Sequence, residues 1–309
     1  MRPTYFSQES KGGEFSFNDS QVSFDWIKDE HVSAHIAIGS LLERSIPAIY
    51  LETKPPDQLG FIEAYAQYTG IYGHIRAGLV PLGFGSSGLE KNHDRIWPKP
   101  MIFAERIVGE RDYGVSFFTE NNGYFTEFTL HNGEVDQQPN DGNLWLTTRW
   151  GWANERQLQI QVSGQAGRTD GVSTALGSTT LAGWDRTKSA AWRFANLAVA
   201  WRPRYFEVQL QATIGQREQN RKTDSVTSHQ VDFIHYFAKN WGFGLRHDDF
   251  DPNTKMSNDR VSRESVMLLN QSSDATSVLS VVYSKVLEEK YQRPNDEAWL
   301  QWRVTPFVK

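Results

Sequence analysis

From 158 to 166 the chain alternates without a break: Leu158, Ile160, Val162, Gly164 and Ala166 against Gln159, Gln161, Ser163 and Gln165. The same rhythm returns at 206–214, where Phe206, Val208, Leu210, Ala212 and Ile214 alternate with Glu207, Gln209, Gln211 and Thr213. A strand sends successive side chains to opposite faces, so each segment has one apolar and one polar face. Glutamine, glutamate and threonine do not pack a dry core. The apolar face therefore needs another apolar phase, and around a water-filled barrel that phase is lipid.

No stretch carries a convincing helical period, and the pattern predicts strands at 14–28, 31–41, 61–70, 72–83, 112–121, 124–132, 143–153, 157–168, 190–202, 205–218, 225–239, 241–249, 260–271, 276–288 and 296–307. Most reach the nine to eleven or so residues that a tilted membrane strand needs. Short connections are expected at Asp29-Glu30, Gly70-Ile71, Asn122-Gly123, Asn154–Arg156, Pro203-Arg204, Asn240 and Ser272–Ala275. Long ones alternate with them at 42–60, 84–111, 133–142, 169–189, 219–224, 250–259 and 289–295. Short turns on one rim and long loops on the other are the layout of an outer-membrane barrel. An even strand number asks for one more strand before the first, and Thr4–Gln8 is its stub, giving about sixteen. The expected fold class is all-β: one transmembrane antiparallel β-barrel spanning 1–309, with short periplasmic turns and long external loops.

Composition sharpens this reading. Only 39% of the 309 residues are hydrophobic, yet aromatics reach 13%, with 11 Trp. A barrel wall needs apolar residues on one face alone and places Trp and Tyr at the membrane interfaces. The net charge of −5 argues against nucleic acid as a partner. Cysteine is absent, which excludes disulfide scaffolds, thiolate metal sites and Cys nucleophiles. No run of 18 apolar residues is present. Residues 1–12 are polar, so the expectation is a mature or trimmed chain whose export signal is gone.

A lipid-facing Lys or Arg at the bilayer midplane costs about 2–4 kcal/mol, so mid-strand charges should face the lumen. By alternation these are Glu63, Arg76, Glu127, Arg149, Glu207 and Arg303, with Ala64, Ala77, Phe128, Trp150, Val208 and Trp302 outward. Their signs are mixed and give no ion preference.

Residues 61–117 carry a more specific pattern. Phe61-Ile62-Glu63-Ala64-Tyr65 opens one strand; Ile75-Arg76-Ala77-Gly78 leads to Pro81-Leu82-Gly83; after Glu105-Arg106 comes Glu110-Arg111-Asp112-Tyr113-Gly114-Val115. This order resembles the phosphate-selective porin O and P family of Gram-negative outer membranes. The resemblance covers about a fifth of the chain. It implies a sixteen-stranded homotrimeric pore in a bilayer with lipopolysaccharide, whose third external loop folds inside as a constriction. Here that loop is 84–111, holding Lys91, Arg95, Lys99, Arg106 and Arg111 against Glu90, Asp94, Glu105 and Glu110, with His93 beside them. Near balance departs from the dense basic run that a phosphate pore should show. Selectivity is expected to rest on Lys91, Arg95, Lys99, Arg106 and Arg111, with Glu63, Arg76, Glu127 and Arg149 on the facing wall.

Other patterns carry less. Gly83-x-Gly85-x-x-Gly88 matches the dinucleotide fingerprint, but the following segment ends in Pro98 and Pro100 and cannot open a helix. These glycines are expected to bend the loop inward. Asp249, Asp251 and Asn253 mimic the start of a calcium loop, yet Thr254 and Arg260 stand where Gly and Glu are required, leaving an acidic external loop. His31 and His35 lie about 13 Å apart along one strand, too far for one metal, and read as lumen-facing. No Ser/His/Asp set is assignable. Trp145, Trp150, Trp152, Trp192, Trp201, Trp241, Trp299 and Trp302 read mostly as interface girdle, with a sugar-stacking track inside the pore as the alternative. Phe307, followed by Val308 and Lys309, nearly meets the aromatic ending usual in such barrels.

The expected function is passive diffusion of small hydrophilic solutes or ions, anions such as phosphate among them, with no enzymatic chemistry, cofactor or metal. The alternatives are a closed outer-membrane barrel for adhesion, reception or structure, using loops 42–60 and 169–189, and a soluble carbohydrate-binding β protein.

Overall fold

The computed structural model describes residues 4–8, 12–16, 21–40, 59–85, 97, 99–104, 107–133, 142–154, 157–169, 180–181, 184–185, 189–257, 259–272, 277–289 and 296–304. The strands are β1 (Thr4–Gln8), β2 (Gly12–Ser16), β3 (Gln21–Ile27), β4 (Val32–Ser40), β5 (Leu59–Gly70), β6 (Gly73–Pro81), β7 (Arg111–Asn121), β8 (Tyr124–His131), β9 (Trp145–Ala153) and β10 (Leu158–Thr169). After the small hairpin β11 (Thr180–Leu181) and β12 (Trp184–Asp185) come β13 (Ala190–Trp201), β14 (Phe206–Gln219), β15 (Lys222–Ala238), β16 (Trp241–Asp251), β17 (Val261–Gln271), β18 (Ser277–Glu288) and β19 (Glu297–Val304). One helical turn, α1 (Met101–Ala104), lies between β6 and β7.

Neighbouring strands pair antiparallel from β3 to β10 and on through β13 to β19. The expected stub Thr4–Gln8 is β1, and it pairs with the last strand on one side and with β2 on the other. The sheet thus returns on itself. The expected strand 14–28 falls on β2 and β3, with 17–20 outside the described residues; counting those two as one gives sixteen strands in the main sheet among the described residues.

Facing follows the alternation. In β10, Gln161 and Ser163 are each 1% exposed while Val162 between them is 49% exposed. Outward Leu210 and Ile214 alternate with inward Gln209, Gln211 and Thr213 in the same way. One local irregularity matters. Ala37 pairs with Glu63 but Ile38 with Phe61, so Ile62 is the extra residue of a bulge. The bulge lets Phe61 face outward and Glu63, two residues later, face inward.

The connections alternate in length with one correction. The expected long loop 219–224 is a two-residue turn, Asn220-Arg221, both at positive φ, between the tall strands β14 and β15. Two positive φ values match the natural twist of a hairpin, so the pair can run on as ladder. A second correction concerns the calcium-like motif: β16 runs on through Asp251, expected in the loop 250–259, while Asp249 lies in the strand as expected.

Exposed aromatics gather near the short-turn rim: Trp26, Tyr68, Tyr72, Tyr124, Trp201, Tyr205, Phe237, Trp241 and Trp302. That is an interface girdle. Trp145, Trp192 and Trp299 depart from the expectation and pack in apolar clusters inside the wall.

Candidate functional site

The segment between β6 and β7 leaves the wall and returns at one point, where the Leu82 amide donates to the Glu110 carbonyl at 2.7 Å. Gly85 takes φ +62°, a value glycine adopts at little cost, and its amide donates to inward Ser163 Oγ at 2.9 Å. Of the dinucleotide-like glycines, Gly85 is therefore a bend residue, as expected; Gly88 lies outside the described residues.

Beyond Gly85 the loop is anchored by apolar side chains. Phe84 meets Phe103 and Phe194 edge-on, with ring centroids 6.5 and 6.3 Å apart. Met101, Ile102, Phe103, Ile107 and Val108 join them, packed against Trp145, Val226, Phe250, Val261 and Val286 of the surrounding wall. Trp97 packs with Ile234, Met267, Leu269, Val282 and Trp299, and Arg246 stacks over its ring 5.1 Å from the centroid. Opposite it stands Gly244, where a Cβ would lie 2.6 Å from the indole. The sequence placed a constriction here but missed these anchors. Their signal was the apolar run Met101-Ile102-Phe103-Ala104 in a polar loop, facing wall strands whose inward positions include Gly242, Gly244, Phe250 and Val261.

Polar contacts lock the same arrangement. Arg263 Nη2 donates to the Lys99 carbonyl and to Asp248 Oδ2, each at 2.6 Å, and Asp248 Oδ2 also accepts from the Met101 amide at 2.9 Å. The loop is thus held on β16 and β17, across the interior from the β6–β7 wall that it leaves.

No family model and no curated protein matches the sequence. Among solved structures, a loop-deletion mutant of OmpT, an outer membrane protein of Vibrio cholerae, superposes with a TM-score of 0.71 at 8% identity, over 98% of this chain and 96% of that one. The outer membrane channel DcaP of Acinetobacter baumannii gives 0.66 at 10% identity over 98% and 94%. The anion-selective porin from Comamonas acidovorans gives 0.64 at 10% identity over 97% and 95%. The chain has the fold of an outer-membrane porin. The resemblance to the phosphate-selective family stands at that coarser level.

Within this porin fold, the motif residues meet at the neck of the loop. Glu63 on β5 faces Arg111 Nε at 3.4 Å, Arg111 Nη1 lies 3.9 Å from Glu110, and Glu110 takes the Lys99 ammonium at 2.8 Å. His35 stands 3.5 Å from Glu63 and 2.7 Å from Asp25. Glu127 on β8 pairs with Arg149 on β9 at 2.8 Å and accepts from Ser116 at 3.1 Å. Arg76 differs from the other predicted residues: it donates to Gln67 Oε1 at 2.8 Å and lies over the Tyr65 ring, and among the described residues no carboxylate touches it. Gly78, at φ +133°, lets β6 approach the β5 backbone; a Cβ there would meet the Ala64 carbonyl.

Of the nine predicted selectivity residues, six are brought to the interior: Lys99, Arg111, Glu63, Arg76, Glu127 and Arg149. Lys91, Arg95 and Arg106 lie outside the described residues, as do loop 42–60 up to residue 58 and most of 169–189. His31 sits exposed in the turn before β4, its amide bonded to Asp29, rather than on the lumen face. A further inward pair, Asp112 and His131, escaped the sequence reading. Their side chains meet at 2.8 Å, and the other ring nitrogen of His131 lies 2.8 Å from Thr147 Oγ1.

Proposed function

We propose that this chain is an outer-membrane channel through which small hydrophilic solutes and ions diffuse, with segment 84–111 as its constriction. The observation that carries the reading is the loop itself: a porin-type wall whose third loop-side connection crosses the interior and is pinned by Arg263 and Asp248 to the opposite side. The wall's apolar outer face and aromatic rim suit a bilayer, with lipopolysaccharide at the loop side. The working unit in this reading is a homotrimer, and transport needs no cofactor and no catalysis.

Charge pairing sets the selectivity. Lys99, Arg111 and Arg149 each lie against a carboxylate, so little net positive field is left for an anion. The channel passes anions, phosphate among them, with only a weak bias, set chiefly by Arg76. Liposome swelling with a size series of uncharged sugars tests the reading. Uptake that falls steeply with sugar size supports a loop-narrowed pore, and no uptake of the smallest sugar by correctly folded protein contradicts it.

One observation favours a second reading, a closed barrel with a receptor, adhesion or structural role. Inward Asp248, Arg263, Glu127, Thr129 and Gln161 are almost completely buried, so the interior at loop level is largely filled. Failure of the swelling assay moves the assignment there.

A further inference from the structure

On the outside of the wall, at the loop-side edge of the apolar band, β15, β16 and β17 carry a polar group with no role in the lumen. Going along β15 the outward residues are Thr227, His229, Val231 and Phe233; along β16 they are Phe243, Leu245, His247 and Asp249; along β17, Ser262, Glu264, Val266 and Leu268. The register sets His229 opposite Asp249, Val231 opposite His247, and His247 opposite Glu264. His229 and His247 are therefore diagonal neighbours on one face, a spacing within reach of long side chains. Their Nε2 atoms lie 3.3 Å apart.

We infer that His229, His247 and Asp249 form a site for a borderline-soft divalent cation such as Zn²⁺. Two nitrogens bound at 2.0–2.1 Å to a tetrahedral zinc stand about 3.3 Å apart, which is the separation these two rings already have. One ligand atom from each of the three residues fits within 4.8 Å of the others. The surrounding groups orient them. His247 Nδ1 lies 2.6 Å from Glu264 Oε1; with Nδ1–H donating to that carboxylate, Nε2 is left to bind metal. Arg260 Nε donates to Asp249 Oδ2 at 2.6 Å and leaves Oδ1, which lies 3.5 Å from His229 Nδ1, turned to the cluster. Side-chain exposures of 45% for His229 and 36% for His247 keep the rings open to the outside, so the ion can enter and a fourth position stays free for water. Imidazole ligands favour zinc, copper and nickel over calcium and magnesium, which select oxygen. A bound ion would clamp β15 to β16 at the outer rim, with β17 tied in only through Glu264.

The test is titration of the tag-free, detergent-folded full chain with Zn²⁺ against a chromophoric chelator, repeated with Co²⁺ to read the coordination geometry. The expected result is one Zn²⁺ per chain, a tetrahedral Co²⁺ spectrum and no displacement by excess Ca²⁺. His247→Ala should abolish binding, Glu264→Gln should weaken it about 10- to 100-fold as loss of an orienting partner does, and His31→Ala should leave it unchanged. Unaltered heat-dependent gel mobility checks that each variant is folded. Wild-type protein that binds no zinc, or binds it equally after His31→Ala and His247→Ala, overturns the site; so does calcium competing as well as zinc, a result that needs no variant.

Discussion

Arg263 and Asp248, on neighbouring strands of the barrel, meet at 2.6 Å with both side chains fully buried, and each also holds the backbone of the crossing loop. Two charges taken out of water and set against the same segment form a clasp. Breaking a buried pair by removing one partner costs about 3–5 kcal/mol, because the other charge is left uncompensated. Arg263→Met should therefore loosen the loop rather than merely weaken the wall. The expected outcome is a larger and noisier single-channel conductance with a lower melting temperature. Adding Asp248→Asn to Arg263→Met should recover part of the stability.

Trp97 and Gly244 give an independent handle on the same loop. The indole sits where a Cβ on residue 244 would collide with it, so Gly244→Val must push Trp97 out of its cluster. Trp97→Ala empties the same space, and large-to-small changes of this kind cost about 3–5 kcal/mol in a packed core. Both variants should widen the permeable sugar size in liposome swelling. Leu245→Val, on the outward face of the same strand, should not.

Selectivity should respond to Arg76 and hardly at all to removal of the Glu127–Arg149 pair as a unit. Arg149 is cancelled by Glu127 at 2.8 Å, whereas Arg76 rests on an amide and a ring. Arg76→Glu should move the reversal potential under a KCl gradient toward cations. The double variant Glu127→Gln with Arg149→Gln removes no net charge and should leave it within error.

Asp259 gives the external loop a pH dependence. Burial, with Asp251 and then Glu289 adding like charge, pushes its carboxyl up to about 6 from an ordinary value near 3.8. A raised carboxyl pKa means that the folded state prefers the protonated form. Its ionisation thus opposes folding, and stability falls as pH rises from about 4 to about 6. Asp259→Asn should match wild type below pH 4 and melt higher than wild type above pH 6, as read by thermal unfolding of the outer loops.

Much of the wall was legible because it is written locally. Gln161 and Val162 show their faces by alternation alone, and the stub Thr4–Gln8 followed from strand parity. What stayed hidden depends on register or on distant contacts. Phe61 and Glu63 share one parity, and only the bulge at Ile62 turns them to opposite faces. Asn220-Arg221 reads as loop because the signal for its turn is two positive φ values, which Arg does not advertise. Trp145, Trp192 and Trp299 look like girdle residues until the loop that covers them is placed. His229 and His247 lie 18 residues apart in sequence and meet only through the β15–β16 pairing. At the candidate site the charged residues were visible, but their pairing was not, since Lys99 finds Glu110 by the path of the loop.

The channel claim is tested most directly by single-channel recording of the folded, detergent-purified protein in a planar bilayer under a KCl gradient. The account predicts discrete open steps in groups of three, with a reversal potential only slightly displaced from zero. A heat-resistant, folded barrel that inserts and gives no steps would contradict it.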